Sequence, residues 1–418
     1  QSRPPRRTSP QDRANHADAG DIGEVVSGKL KMSIIATALE QSRLLARPGD
    51  RRLCLLDASA SALWDLHAAG VAPERMIGLL VERFSLSPEL ARDQVTALVA
   101  DWRLAGLLDT AGETPADWRL GTPYEPVWPA PGPHAPERGA QTLWVADRRV
   151  GLRCEEAAMR QRLGWMLAPE PVPEEPVCVD HDLRLHVTGA DWRLARDGDI
   201  VEIGQGFDAA LVSTITALAN LGCRAAERLI VLHGAGLVAP GGQGLLLIAP
   251  GGSGKTTLAA ALNAAGFELL SDDVVPVTLA GELLGLNLPL CLKPGSWPVL
   301  TPWRPDLVQA PLVTRFGQRV RFLPARGPAV TQPVRPVCLL LPRHAPTEAP
   351  QVAPLSPVQA LQGLIGAEAV LRNLTQAKLD GLARWIEALP AFALTYPDLA
   401  TGLDQVAACL RTATGERP

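Results

Sequence analysis

The apolar positions along the chain fall into three zones. From about Val25 to Leu108, Leu30, Met32 and Ile34 alternate as in a half-buried strand, and Leu53–Leu56 follows a Pro48-Gly49-Asp50 turn as a second. Three helical patterns come next. Ser59–Ala69 carries Ala62, Leu63 and Leu66; Pro73–Phe84 carries Met76, Ile77, Leu80 and Val81; Pro88–Ala105 carries Leu90, Val95, Leu98, Val99 and Trp102. Ser87, Pro88 and Glu89 give the third helix a hydroxyl cap, a first-turn proline and an acid, and Gly106 is placed to stop it. Seven prolines from Pro115 to Pro136 then forbid both helix and central strand, so the stretch reads as an extended, stiff linker. The last zone, from about Gln141 onward, mixes strands and helices. Asp197-Gly198 between WRLAR and IVEIG signals a hairpin, Asp208–Asn220 reads as a helix, and Leu229–Pro250 as two strands and a turn. Leu245–Ile248 is a short buried-type strand, Thr256–Ala265 a helix ended by Gly266, and Glu268–Val277 one strand.

This pattern predicts residues 1–24 as a disordered tail, 25–110 as a small domain, 111–140 as the linker and 141–418 as a larger domain. A chain of 418 residues with 47% apolar and 20% charged residues is sized and composed for two folded domains. Net charge is −4, and no basic stretch interleaves with aromatics, so nothing argues for a nucleic-acid partner. No uninterrupted apolar run reaches membrane-spanning length, and the first residues lack the apolar core of a secretion signal. The seven cysteines are scattered and never form a CxxC pair, which favours neither a disulfide framework nor a structural zinc site and makes a reducing cytoplasm the expected location.

The strongest chemical signal is APGGSGKT at 249–256, preceded by LLLI and followed by TTLAAALNAAG. A loop that binds phosphate needs glycines, so that successive amides can turn toward one anion. It also needs a helix N-terminus aimed at that anion and a lysine to reach the terminal phosphates. Gly251, Gly252, Ser253 and Gly254 form the turn, Lys255 is the lysine, and Thr256 and Thr257 open the helix, with the Thr256 hydroxyl placed to ligate Mg²⁺. Seventeen residues past Lys255, Asp272 and Asp273 stand together at a strand end, where carboxylates suit Mg²⁺ binding and proton removal from an acceptor. His233, in LIVLHGAGLV, lies on the strand paired with the one that feeds the loop. A histidine on an apolar strand is more often a core residue, but this position favours a role in the site.

Together, the LLHGAG-like strand, the [AG]xxxxGK[ST] loop and the SDD strand resemble the C-terminal domain of HPr kinase/phosphorylase and related kinases, a fold related to phosphoenolpyruvate carboxykinase. The resemblance covers about Val231 to Val277 and extends more loosely through CLKPGSW and RVRFLP. It implies ATP and Mg²⁺ as cofactors, Asp272 as general base and His233 near the acceptor. It makes Asp273 a metal ligand with Thr256 or an orienting group, and Lys293 and Arg321 candidate contacts to phosphate or acceptor. The stretch VQALQGLIGAEAVLRNL (358–374) reads as a plain helix instead of the Gly- and Asp-containing signature of true HPr kinases, which argues against HPr as substrate.

The first domain, with CLLDASASALWDLHAAG and ERMIGLLVERFSLSPELARDQVTALVADWRLAGLL, resembles the PqqD-like domains that recognise leaders of ribosomally made precursor peptides. The implied fold class is a two-domain α+β and α/β chain: a small winged-helix-like domain followed by a phosphate-loop kinase domain. A leader would add a strand to the small sheet beside the third helix, whose Leu90, Gln94, Val95, Leu98 and Trp102 serve either groove or core. A winged-helix nucleic-acid binder is disfavoured, because that helix has few basic residues, Arg92 and Arg103. The combination resembles lasso-peptide tail kinases and implies a Ser or Thr acceptor, a precursor-peptide partner, other maturation enzymes as further partners, and a homo-oligomer as relatives of this fold form. The alternatives are a kinase of a small metabolite or carrier protein, or a non-catalytic nucleotide-sensing scaffold.

Overall fold

The computed structural model describes residues 34–47, 53–84, 86–105, 107–108, 139–167 and 178–415. The expected tail, Leu30, Met32, the Pro48-Gly49-Asp50 turn, Gly106 and the proline-rich linker lie outside the described residues. The architecture is mixed α/β with several separate sheets. The described residues from 54 to 108 form one compact unit, and residues 35–47 and 53 join those from 139 onward in a second.

The chain's first described elements, β1 (Ile35–Leu39) and β2 (Ser42–Ala46), form an antiparallel hairpin that belongs with the larger unit. There Gln376 Nε2 donates to the Ala36 carbonyl at 2.8 Å, and the Glu40 amide donates to Glu387 at 3.3 Å. Leu44, Leu45 and Ala46 are all buried, so β2 is covered on both faces.

After β3 (Leu53–Leu56) the smaller unit holds α1 (Ala58–Ala68), α2 (Pro73–Phe84) and α3 (Pro88–Leu104), close to the helices read from periodicity. Asp57 caps α1 by accepting from the Ala60 amide at 2.8 Å, and Ser87 caps α3 by accepting from Leu90 at 3.2 Å. Trp64 and Trp102 meet edge to face with centroids 5.1 Å apart, and Leu63, Met76 and Leu80 are buried as well. On α3 the two faces separate cleanly. Ala91, Val95, Val99 and Trp102 are buried, whereas Leu90 and Gln94 are exposed and Leu98 half-buried along a line of i, i+4, i+8 spacing.

The larger unit begins with a five-stranded sheet in chain order: β4 (Gln141–Val145), β5 (Arg148–Cys154), β6 (His181–Thr188), β7 (Asp191–Arg196) and β8 (Asp199–Gln205). Only β5 and β6 are parallel, and α4 (Ala157–Met166) lies in their crossover. The β7–β8 turn has Asp197 and Gly198 both at positive φ (53° and 92°), as a two-residue hairpin of this sequence demands. With α5 (Phe207–Cys223) this sheet closes an apolar core that includes Val150, Leu163, Leu185, Leu194, Leu211 and Leu218.

Then come β9 (Ile230–Leu232), β10 (Gly234–Val238), β11 (Gly244–Ile248), α6 (Lys255–Ala264), β12 (Glu268–Ser271), β13 (Val275–Val277) and β14 (Leu290–Leu292). They are followed by α7 (Trp297–Leu300), β15 (Leu312–Arg315), β16 (Gln318–Leu323), β17 (Pro336–His344), β18 (Gln351–Leu355), α8 (Pro357–Gly366), α9 (Gln376–Ala388), β19 (Ala391–Tyr396) and α10 (Leu399–Thr414). The central sheet has the order β12-β10-β11-β17-β19-β18. β11, β17 and β19 are mutually parallel, and β12 runs the same way because both β12 and β11 are antiparallel to β10. Four carboxyl ends therefore reach one edge of the sheet, and β10 begins there. That is where ligands bind in open α/β sheets.

Three local readings are corrected. Leu229–Pro250 holds three strands, not two, because the chain breaks at His233 between β9 and β10. Glu268–Val277 is likewise two strands, since Asp273 takes a left-handed backbone (φ 74°) that no strand accommodates. The stretch 358–374 is helical only to Gly366. There the amides of Glu368 and Ala369 turn back to the Ile365 and Leu364 carbonyls (3.1 and 3.2 Å), and Val370 goes on to bridge Val231.

Candidate functional site

The strand β11 is buried throughout and delivers Ala249 and Pro250 to the sheet edge. The loop then turns at Gly252 (φ 84°) and Gly254 (φ 95°) and enters α6 at Lys255. The first bond of this helix runs from the Leu258 amide to the Gly254 carbonyl at 2.9 Å. The amides of Lys255, Thr256 and Thr257 precede that bond and have no carbonyl to meet within the helix. They form the positive end of its dipole, at the floor of a cleft of about 850 Å³. No side chain caps this helix, and the Ser253 hydroxyl is buried without a partner among the described residues. The loop is thus rich in donors that an anion can satisfy.

Gly254 is required twice over, by its backbone and by its neighbour. A Cβ there would lie 2.8 Å from the Tyr396 hydroxyl at the end of β19. Gly254→Ala is therefore expected to lower the melting temperature by several degrees and to weaken anion binding at the loop about tenfold or more. Calorimetric titration beside a thermal melt checks both.

Lys255 is buried to 8% exposure, and its ammonium donates to the carbonyls of Ala249 and of Pro250, the latter at 3.1 Å. Burial holds its pKa below the ordinary lysine value, while the nearby Asp272 and Asp273 work the other way. The Thr256 hydroxyl donates to Asp272 at 3.0 Å, and the Cys291 amide of β14 donates to the other Asp272 oxygen at 3.3 Å. The Asp272 carboxyl is pushed up to about 7, first by burial and then by the like charge of Asp273.

Asp273 occupies a different environment. Arg315, at the end of β15, donates to it at 2.9 Å, and His233 Nδ1 stands 3.9 Å away. His233 arrives between β9 and β10, where Gly234 lets β10 press against β11: a Cβ there would lie 2.4 Å from the Leu247 carbonyl. The structure accordingly brings together the residues the sequence singled out, from Gly251 through Thr257 with His233, Asp272, Asp273 and Lys293, in one cleft. It joins Thr256 to Asp272 and not to Asp273, whose carboxylate is engaged by Arg315.

Arg321 is not brought there. Side chains alternate along β16, so Gln318 and Val320 face the cleft and Arg321 lies on the other face. It donates to the Val308 and Ala310 carbonyls and lies over the Trp297 ring at 5.1 Å. Sequence reasoning missed Cys291, Arg315, Phe316, His344, Glu368 and Tyr396, all of which line the cleft. The only local hint is the Phe316-Gly317 pair at a hairpin tip. The others reach the site through pairings that are remote in sequence, such as the His344 amide to the Ser253 carbonyl at 3.2 Å.

Among the described residues, no group of three or more His, Cys, Asp or Glu side chains could hold a metal ion by itself. The cleft's own oxygen donors include the Thr256 hydroxyl and the Asp272 and Asp273 carboxylates, hard groups of the kind that suit Mg²⁺. No described helix is long and apolar enough to cross a membrane.

No protein-family model matches the chain, and no curated protein matches it. Among solved structures it is similar to one described as TbiB1 in complex with the TbiA(beta) leader peptide, at 16% identity and a TM-score of 0.20, over 20% of this chain and 99% of that one.

Proposed function

We propose that this chain is an ATP-dependent kinase that phosphorylates a Ser or Thr hydroxyl of a ribosomally made precursor peptide recruited through its leader. The observation that carries the reading is the bond from Thr256 to Asp272, which ties a phosphate loop to a buried carboxyl of near-neutral pKa in the cleft shared with His233 and Asp273. Phosphoryl transfer needs positioned donors, offset charge and a base. The amides at the start of α6 and Lys255 would hold the terminal phosphates of ATP. When bound, Mg²⁺ supplies positive charge against those phosphates, with Thr256 among its ligands.

In the transfer, the acceptor oxygen bonds to the γ-phosphorus as the bond to the bridging oxygen breaks. ADP leaves, and the hydroxyl proton passes to Asp272. A group titrating near 7 is well matched to that task at neutral pH. Arg315 holds one Asp273 oxygen beside it at 2.9 Å, and His233 stands 3.9 Å from the other.

The leader half of the proposal is supported by α3. Its outward line of exposed Leu90 and Gln94 and half-buried Leu98 presents apolar surface beside a polar group, suited to the side chains of an extended peptide. A docked leader raises the local concentration of the acceptor, so weak affinity at the cleft suffices.

Calorimetry with ATP and with AMP, each with and without Mg²⁺, tests the nucleotide half. ATP should bind at least about tenfold more tightly than AMP, since the loop reads phosphates. Equal affinities would remove the basis for the kinase reading.

A further inference from the structure

Backbone strain gathers at the cleft. Among the described residues, eight that are not glycine have a left-handed backbone, and three of these, Asp273 (φ 74°), Phe316 (φ 50°) and Glu368 (φ 58°), line it. Strain kept at a site marks a function the fold alone does not explain.

Phe316 is the least explicable of the three by folding. With Gly317 (φ 75°) it makes the two-residue turn between β15 and β16, whose last pair is Arg315 with Gln318. Turns with both φ values positive take Asn-Gly or Asp-Gly, because a short polar residue tolerates the left-handed region and a bulky one does not. Phe316 is also 84% exposed, so it contributes nothing to a core. Neither the turn nor burial accounts for an aromatic ring there.

Its surroundings do account for it. Arg315 lies over the Phe316 ring at 5.3 Å and joins the hairpin to the carboxylates through its 2.9 Å bond to Asp273. Val299, 45% exposed, also lines the cleft and gives it a second apolar surface. The ring therefore stands on the rim of the phosphate-loop cleft, one side chain away from the group that sits beside the base.

We propose that Phe316 docks the acceptor peptide by covering an aliphatic or aromatic side chain next to the hydroxyl that receives phosphate. The specificity this implies is for a Ser or Thr flanked by an apolar residue. The inference rests on the kinase reading above, and its test separates the two.

Two synthetic peptides, each with one Ser and differing only in Leu or Asp beside it, are compared on wild type, Phe316→Asn and Phe316→Leu. Asn suits the turn, so that variant keeps the hairpin while removing the ring. Wild type should favour the Leu peptide by about tenfold in kcat/KM, an effect in the range expected for covering one apolar side chain. Phe316→Asn should abolish that preference through KM for the peptide with KM for ATP unmoved, and Phe316→Leu should restore most of it. An unchanged peptide KM in Phe316→Asn overturns the proposal.

Calorimetric binding of both peptides in the presence of a non-hydrolysable ATP analogue reads docking without transfer. Tighter binding of the Leu peptide by wild type than by Phe316→Asn, in a protein that moves no phosphate, supports the docking site and removes the kinase. Equal affinities overturn the docking site whether or not phosphate moves.

Discussion

Lys255→Met is expected to lower kcat/KM for peptide phosphorylation on the order of 10²–10³-fold, the usual cost of removing one preorganised group aimed at developing charge. Methionine keeps the length and apolar stem of the side chain and removes only the ammonium. Removing the charge relieves the burial that holds the Lys255 pKa down, while two carbonyls of its own loop lose their donor, so the net change in stability is expected to be small. In the proposed reading, ATP competes with those bonds, since the lysine leaves Ala249 and Pro250 to reach a phosphate. Steady-state kinetics beside a thermal melt separates lost chemistry from lost fold. A variant that folds and transfers at the wild-type rate would exclude Lys255 from the site.

The second large effect belongs to Asp272, and it has two readouts of opposite sign. Asp272→Asn should reduce transfer by on the order of 10²–10⁴-fold, because the amide cannot take the acceptor proton. It should also stabilise the nucleotide-free protein at alkaline pH. In the folded chain the carboxyl keeps its proton up to about 7, against 3.8 as the ordinary value. Between those values the folded state binds more protons than the unfolded state, so wild-type stability falls as pH rises through the window and stays reduced above it. Asparagine does not ionise and escapes that loss. At pH 4 the two proteins should melt together, and at pH 8 the variant should be more stable, by on the order of a few kcal/mol. Melts across that range check it, and a variant less stable than wild type at pH 8 contradicts a buried, proton-holding Asp272.

The strand, turn and helix around Lys255 were legible in sequence because their parts are contiguous: glycines, lysine and threonine follow one another, and the structure folds them as one strand-turn-helix. The helices of the smaller unit were legible for the same reason, since period and caps are local, as Ser87 and Asp57 illustrate. Which face of α3 is core was not legible, because Leu90, Val95 and Leu98 are equally apolar and only their neighbours decide. The break in the acidic strand was hidden too, since Asp273 adopts its left-handed backbone in the company of Arg315, 42 residues away.

Arg321 misled for a related reason. A charge beside a strand motif says nothing of the face it takes, and one step along β16 separates it from Val320 in the cleft. Glu368 was concealed by a helix that periodicity extends past Gly366, whereas the chain reverses there to bridge Val231 near His233. Local elements were therefore readable, and what the sheet edge assembles from distant strands was not.

The most direct test of the account is the intact mass of a candidate leader-bearing precursor peptide, after incubation with the protein, ATP and Mg²⁺, with the leader and without it. A phosphate-sized gain that requires the leader is the predicted result. A gain that ignores the leader would contradict recruitment through the smaller unit, and no gain from a protein that binds ATP would contradict the kinase itself.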